Sequence, residues 1–163
     1  MANKVVNVVI AGLGGQGVIK ASDILADAAF RAGYDVKKSE IHGMSQRGGS
    51  VTSDVRFGEA VLSPMVPAGE ADYLVVVAAD QAEPNRHQLR PGGVLLTAER
   101  IDEAALANRR SLNVALLGAL SVHLPIPEAD WLEAIRAALA PKLHDANLQA
   151  FELGRAAARS GKV

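Results

Sequence analysis

The chain has 163 residues, of which 49% are hydrophobic and 21% charged, and it contains no cysteine. A chain of this length can bury roughly 70% of its unfolded surface in one core, so we expect residues 1–163 to form a single domain. The absence of cysteine excludes disulfides, cysteine-ligated zinc, iron–sulfur clusters held by this chain and a thiol nucleophile. Seventeen basic and eighteen acidic residues give a formal net charge of −1, which argues against a nucleic-acid partner.

The apolar runs are all short. The longest, 73–79 and 114–120, fall well below the roughly 18 residues that a membrane span needs. Val5–Ile10 is too short for the apolar region of a secretory signal and runs directly into glycines. We therefore expect a cytoplasmic protein without membrane association.

The first third of the sequence predicts a β-α-β unit. Val5–Ile10 is a β-branched run, typical of a buried strand. Apolar residues then recur at helical spacing from Ala21 to Ala32 and stop at Gly33, a residue type that commonly follows a helix. Asp35–Ile41 is the next predicted strand. A right-handed crossover with parallel pairing of the two strands is the usual arrangement for such a unit.

The next segment has a different pattern. Ser50–Phe57 alternates apolar with polar residues, which predicts a half-exposed strand. Gly58 and Glu59, followed by Ala60–Leu62, predict a hairpin return. An antiparallel insertion or an edge strand fits this pattern better than another buried parallel strand.

The remaining sequence alternates strands and helices. Asp72–Ala79 is apolar without alternation, as in the centre of a parallel sheet, and a helix over Asp80–Leu89 leads to a short strand at Val94–Thr97. Three further helices are predicted over Ser111–Leu124, from Pro127 and from Asp145. The fold class is therefore α/β: a Rossmann-like layered fold with a mainly parallel sheet, an antiparallel hairpin insertion and C-terminal helices.

Residues 12–17 read GLGGQG and stand between the first strand and the first helix. In this context the first glycine permits a tight turn, the second lets the backbone approach a phosphate, and the third allows close packing of strand and helix. The helix N-terminus then offers free N–H groups to an anion. The candidate cofactor-binding residues are Gly12, Gly14, Gly15, Gln16 and Gly17, and a turn that binds nothing stays open as the alternative.

The glycine turn could belong to one of two specific nucleotide-binding motifs, a P-loop or a dinucleotide site. A phosphate-binding P-loop requires lysine after Gly17, and Val18 stands there, so a P-loop is excluded. A dinucleotide site requires an acidic residue about 20 positions further on, at the end of the second strand. Asp35 and Glu40 lie 18 and 23 residues after Gly17, although Asp35 begins that strand. A free-standing NAD- or FAD-binding oxidoreductase is therefore the alternative function.

Residues 42–50 read HGMSQRGGS and follow the second strand, at the edge where open α/β sheets bind ligands. Arg47 could bind a phosphate or carboxylate through two parallel hydrogen bonds, pair with an acid of a partner subunit, or pair within the chain. We count this loop among the candidate cofactor-binding residues: His42, Ser45, Gln46, Arg47, Gly48 and Gly49. No residue is assigned a catalytic role.

Other chemistry-bearing residues are scattered. The four histidines form no pair at helical i, i+4 spacing, so we expect no metal site. The acidic residues Glu99, Asp102 and Glu103 are typical of a helix start or a solvated surface.

The two motifs together carry a family resemblance. GLGGQG followed by KSEIHGMSQRGGSVTSDVRFG at residues 38–58 resembles the gamma-type subunit or domain of 2-oxoacid:ferredoxin oxidoreductases. The segment HGMSQRGGSV, residues 42–51, is most similar to the corresponding segment in the small subunit of the indolepyruvate-specific members. The resemblance extends from Val5 to Gly154, nearly the whole chain.

The resemblance implies one subunit of a larger enzyme that oxidatively decarboxylates an aryl 2-oxoacid such as indolepyruvate. Coenzyme A would be the cosubstrate and a ferredoxin-type protein the electron acceptor. Thiamine diphosphate, Mg²⁺ and the iron–sulfur clusters would lie on a large partner subunit. This chain would bind no cofactor alone and would have no activity in isolation.

Overall fold

The computed structural model describes residues 4–43 and 49–161, which form a sheet with helices packed mainly on one face. The strands are β1 (Val5–Leu13), β2 (Asp35–His42), β3 (Ser50–Gly58), β4 (Ala71–Val76) and β5 (Leu89–Thr97). The helices are α1 (Val18–Arg31), the single turn α2 (Ala82–Asn85), α3 (Leu112–Ser121), α4 (Glu128–Ala138) and α5 (His144–Arg159).

The sheet has the strand order β2-β3-β1-β4-β5. β4 pairs in parallel with both β1 and β5, whereas β3 pairs antiparallel with both β1 and β2. Four of the five strands in the described ranges therefore run in one direction. The predicted α/β fold, with its mainly parallel sheet, its antiparallel hairpin and its C-terminal helices, is confirmed.

The predicted parallel pairing of the first two strands is wrong. β3 lies between β1 and β2 and forms a full antiparallel ladder with each, from Val5 opposite Gly58 to Leu13 opposite Ser50 on one side. Strands that are consecutive in sequence are neighbours in only about two-thirds of cases, so the expected pairing has exceptions. Here a hairpin partner follows β2 directly in sequence and occupies the place beside β1.

The hairpin itself is present, but its partner differs from the prediction. β3 returns from β2 through residues 43–49, whereas Ala60–Leu62 forms no strand. β3 also lies inside the sheet rather than at its edge. The segment after β3 crosses the sheet instead, because Asp35 accepts a hydrogen bond from the Val61 N–H at 2.7 Å and Asp54 accepts one from the Val66 N–H at 2.9 Å.

The second half follows the predicted order with shifted boundaries. β4 is paired on both sides, as expected for an apolar segment without alternation. The predicted helix at 80–89 is broken into α2 between short 3-10 turns at 79–81 and 86–88, with Pro84 inside it. β5 begins earlier than predicted and includes Pro91, which lacks an N–H and is tolerated because β5 lies at the sheet edge.

The main core lies on one face of the sheet. The buried side chains of Val8, Ile10 and Phe57 on this face pack with α1, α3, α4 and α5, including the fully buried Trp131 and Phe151. The other face has a smaller cluster around Val9 and Leu74, covered by Val66 and by Ala82 of α2. Over 4–43 and 49–161, no helix combines the length and apolar character needed to cross a membrane.

Candidate functional site

The glycine turn connects β1 to α1 at the carboxyl end of β1. Its backbone is closed by Gln16, whose N–H donates to the Leu13 carbonyl at 3.1 Å and whose side-chain Oε1 accepts from the Leu13 N–H at 2.8 Å. The turn is therefore fixed by one residue of its own motif. This explains why a glutamine interrupts the glycines.

The glycines have roles that differ from the expected assignment. Gly12 belongs to β1, where a Cβ would lie 2.8 Å from Val18 Cγ2, so this glycine provides the close strand–helix approach. The left-handed backbone occurs at Gly15 (φ +87°) and at Gly17 (φ +77°), the residue that caps α1. The Gly14 N–H, expected to approach a phosphate, instead donates to the Gly49 carbonyl at 2.8 Å.

This Gly14–Gly49 hydrogen bond joins the two sequence motifs. Gly49 ends the β2–β3 loop, and the ladder between β1 and β3 places that end beside the glycine turn. The other end of the loop is tied by the Gly43 N–H, which donates to the Ser50 carbonyl at 2.6 Å. Ser45, Gln46, Arg47 and Gly48 lie outside the described residues, so their predicted role stays a prediction.

His42 is less closely associated with the turn. It lies on the edge strand β2, its side chain is 60% exposed, and its Nε2 lies 4.0 Å from Glu40 Oε2. Glu40 in turn pairs with Lys38, which also contacts Asp23 of α1 at 2.6 Å. Although burial lowers the pKa of Lys38, its hydrogen bonds to Asp23 and Glu40 outweigh this and raise that pKa overall, so Lys38 remains a cation.

A cleft of about 510 Å³ opens beside the glycine turn. It lies at the carboxyl end of the parallel strands, between the N-terminus of α1 and the N-terminus of α3. Gly15, Gln16, Gly17 and Lys20 form one wall, residues 108–114 form a second, and Leu139, Leu143 and Asn147 close the third. Both helices direct their positive dipole ends toward this space.

The cleft carries three cations that lie outside both sequence motifs: Lys20, Arg109 and Arg110. Arg109 and Arg110 are exposed on the turn before α3, and neither forms an ion pair with any described residue. Lys20 donates to the Ala138 carbonyl at 3.2 Å, and Glu103 is the one carboxylate among the cleft residues of the described chain. The available signal was an Asn-Arg-Arg sequence in a loop that follows a strand, the kind of loop that lines the binding edge of an α/β sheet.

The backbone of the cleft is also suited to an anion. No described residue accepts a hydrogen bond from the N–H of Gly15 or Gly17, and the first N–H groups of α1 have no acceptor within the helix. Asn113 braces this end by donating from Nδ2 to the Gly17 carbonyl at 3.0 Å. Free amides, two helix N-termini and three cationic side chains make the cleft suited to phosphate groups.

The dinucleotide alternative does not fit this geometry. Because β3 separates β2 from β1, Glu40 at the end of β2 is two strands away from the glycine turn. Asp35 is engaged elsewhere, since the Val61 N–H bonded to its carboxylate lowers its pKa. Within the described ranges, no group of three or more His, Cys, Asp or Glu side chains could hold a metal ion.

The structure is an α/β protein with a cleft that carries cationic side chains at the carboxyl edge of its sheet, and comparisons with known proteins specify its relatives. Residues 7–157 match the family described as pyruvate ferredoxin/flavodoxin oxidoreductase. The indolepyruvate oxidoreductase subunit IorB of Thermococcus kodakarensis is 37% identical over 94% of this chain and 96% of its own length. The IorB subunit of Pyrococcus horikoshii is 35% identical over the same shares.

Solved structures agree with this at the level of the fold. A 2-oxoglutarate:ferredoxin oxidoreductase from Magnetococcus marinus superimposes with a TM-score of 0.83 at 23% identity, over 98% of this chain and 32% of that one. The gamma subunit of a keto/oxoacid ferredoxin oxidoreductase from Geobacter sulfurreducens gives 0.81 at 22% identity, over 96% and 98%. The chain belongs to the pyruvate ferredoxin/flavodoxin oxidoreductase family. Its relatives are subunits of 2-oxoacid oxidoreductases, which implies a larger catalytic partner, and the NAD- or FAD-binding alternative has no support.

Proposed function

We propose that residues 1–163 form one gamma-type unit, the non-thiamine subunit of a cytoplasmic 2-oxoacid:ferredoxin oxidoreductase. The substrate is indolepyruvate or another aryl pyruvate, as in the names of its 37% and 35% identical relatives. Thiamine diphosphate, Mg²⁺ and the iron–sulfur clusters lie on the large subunit. This division agrees with a chain that has no cysteine with which to hold a cluster.

We further propose that the 510 Å³ cleft binds the phosphates of coenzyme A. The observation that supports this most directly is the pair Arg109 and Arg110, unpaired beside the free amides of Gly15 and Gly17. A guanidinium recognises a phosphate through two parallel hydrogen bonds. Coenzyme A is also among the molecules bound in the Magnetococcus structure that shares this fold.

Saturation kinetics with coenzyme A test the cleft. The complex of this chain with its large subunit is assayed for indolepyruvate oxidation with Arg109→Gln and Arg110→Gln. We expect the KM for coenzyme A to rise about fivefold to tenfold for each variant, because each removes a charge-assisted hydrogen bond. The KM for indolepyruvate stays unchanged. Arg100→Gln, an exposed arginine outside the cleft, is the matched control. A coenzyme A KM that is unaffected in both cleft variants contradicts the proposal.

The β2–β3 loop needs a separate test, because scaffolding alone would also place it in the complex. Gln46→Ala and Arg47→Ala are made in the assembled enzyme, with assembly followed by size-exclusion chromatography. We expect intact assembly with reduced turnover if Gln46 and Arg47 belong to the site. Unchanged turnover would instead show that the loop only holds the subunits together.

A further inference from the structure

A second cavity, of about 420 Å³, lies at the opposite end of the sheet from the glycine turn. It opens beside the start of β1 and the end of β3, under the loop that joins α3 to α4. Four aromatic rings contribute to its lining: those of Tyr34, Tyr73 and His123, and that of the fully buried Phe57. The whole sequence has one Trp, two Tyr and three Phe, so both tyrosines and one phenylalanine are concentrated here.

The rings are fixed in place by hydrogen bonds to the backbone above them. Tyr34 Oη donates to the Pro125 carbonyl at 3.2 Å, and Tyr73 Oη donates to the His123 carbonyl at 3.3 Å. Burial raises the pKa of the Tyr73 phenol, so this hydroxyl remains protonated and continues to donate. The cavity is therefore bounded by rings of defined orientation.

These rings form two tilted pairs. The Tyr34 and Phe57 centroids are 5.2 Å apart at 57°, and those of Tyr73 and His123 are 5.7 Å apart at 42°. Tilted contacts of this kind are the geometry that aromatic side chains prefer, and an aromatic ligand would make the same kind of contact with the exposed rings. The volume lies within the range of small-molecule sites.

The rim carries one cation and one anion. Val5 of β1 is opposite Gly58 of β3, so Lys4 and Glu59 are the next residues on the two strands and share the sheet face of Val6 and Phe57. Neither Lys4 nor Glu59 forms an ion pair with any described residue. An unpaired ammonium and an unpaired carboxylate therefore flank an aromatic cavity.

We propose that this cavity binds an aromatic amino acid. The ring of the ligand packs against the exposed parts of Tyr34 and Tyr73, its α-carboxylate meets Lys4 and its α-ammonium meets Glu59. The two charges of a zwitterion complement the Lys4 ammonium and the Glu59 carboxylate at the rim. The aromatic rings that line the cavity favour a ligand with an aromatic side chain. The inference rests on the cavity alone and is independent of the coenzyme A site.

Calorimetric titration of the full chain with L-tryptophan and L-phenylalanine tests the ligand class. We expect saturable binding of one molecule per chain for both, and at least tenfold weaker binding of L-leucine, which has the charges without the ring. Absence of saturable binding of either aromatic amino acid, or equal binding of leucine, would overturn the proposal.

Two variants and two analogues test the charges. Lys4→Met and Glu59→Gln each weaken tryptophan binding about fivefold or more, because each removes a charged partner. Tryptamine lacks the carboxylate, so its affinity for Lys4→Met equals its affinity for the wild type. Indole-3-propionate lacks the ammonium, so its affinity is unchanged by Glu59→Gln. Lys142→Met and Glu99→Gln change exposed charges outside the cavity and serve as matched controls. Wild-type tryptophan affinity in both rim variants would show that the charges do not select the ligand.

Discussion

Gly17 illustrates how one residue can meet two constraints. Its backbone has φ +77°, and a Cβ would lie 2.5 Å from Asn113 Nδ2, the atom that donates to the Gly17 carbonyl. We expect Gly17→Ala to destabilise the fold by about 2–3 kcal/mol. Alanine is strained in the left-handed conformation, and its Cβ would also displace the Asn113 side chain and break its hydrogen bond to the Gly17 carbonyl. Gly15→Ala, with φ +87° and open space around it, isolates the backbone cost of about 1–2 kcal/mol. Equal losses in urea denaturation would contradict the role of Asn113.

Asp54 carries a pH-dependent contribution to stability. Burial raises the pKa of this carboxyl above its ordinary value near 3.8, against the weaker effects of the Val66 N–H and of Arg56. The folded state then binds the proton more tightly than the unfolded state, so this group adds stability as the pH falls through its raised pKa and loses it as the pH rises. We expect Asp54→Asn, relative to wild type, to be more favourable at pH 7 than at pH 4. A pH-independent difference in the free energy of unfolding would contradict this.

The same residue anchors the segment after β3. Asp54→Ala leaves the Val66 N–H, a buried donor, without its acceptor, whereas asparagine retains an oxygen. We expect the alanine variant to lose about 1–3 kcal/mol of stability relative to the asparagine variant at neutral pH. Chemical denaturation of both variants provides the comparison, and equal stabilities would show that this hydrogen bond contributes nothing.

At the scale of elements, α3 and α5 pack through glycines. A Cβ on Gly118 would collide with the Phe151 carbonyl, and one on Gly154 would collide with the Ala115 carbonyl. In an exposed helix, glycine to alanine stabilises by about 1 kcal/mol, but here the two backbones would have to separate. We expect Gly118→Ala and Gly154→Ala each to cost about 3 kcal/mol or more.

The control for this pair is Ala156→Ser, on the exposed face of the same helix α5, which should change stability by less than about 0.5 kcal/mol. Thermal unfolding of the three variants is sufficient. Gain of stability in either glycine variant would contradict close packing of the two helices.

The elements themselves were largely predictable from local pattern, and their pairing was not. β1, α1, β4 and the C-terminal helices follow from apolar periodicity. β3 was expected to be half exposed because Asp54 and Arg56 are polar, yet Asp54 is 5% exposed, and the following segment covers this face of β3. Arg56 donates to the Ser63 and Met65 carbonyls of that segment. Polar side chains that hydrogen-bond to a covering segment give the same alternating sequence pattern as the solvent-exposed face of a strand. The sequence alone therefore does not distinguish the two arrangements.

The candidate site shows a similar limit. The glycine turn is predictable because its spacing is local, although the close approach of strand and helix occurs at Gly12 and not at Gly17 as predicted. The other cleft residues come from distant parts of the chain: Lys20, Arg109 and Arg110 meet only because α1 and α3 begin at the same edge of the sheet. No spacing rule connects them. Likewise, the bond from Gly14 to Gly49 depends on β3 pairing with β1, the pairing that local reasoning missed.

At the scale of the whole molecule, the chain combines a family fold with the lack of any cysteine. It spans 96% of the length of its Thermococcus kodakarensis relative, itself described as a subunit, and 32% of the Magnetococcus chain that contains the same fold. In the proposed function, electron transfer through iron–sulfur clusters occurs on another polypeptide, because this sequence has no cysteine to hold a cluster. The proposed activity belongs to the assembly, and the proposed contribution of this chain is the cleft beside the glycine turn.

Reconstitution tests this account most directly. This chain and its large subunit are purified separately, and coenzyme A-dependent reduction of an electron acceptor by indolepyruvate is measured for each alone and for the mixture. We expect turnover from the mixture and none from this chain alone, with the rate rising to saturation as this chain is added to the large subunit. Turnover by this chain alone, or a large-subunit rate that is already maximal without it, would contradict the account.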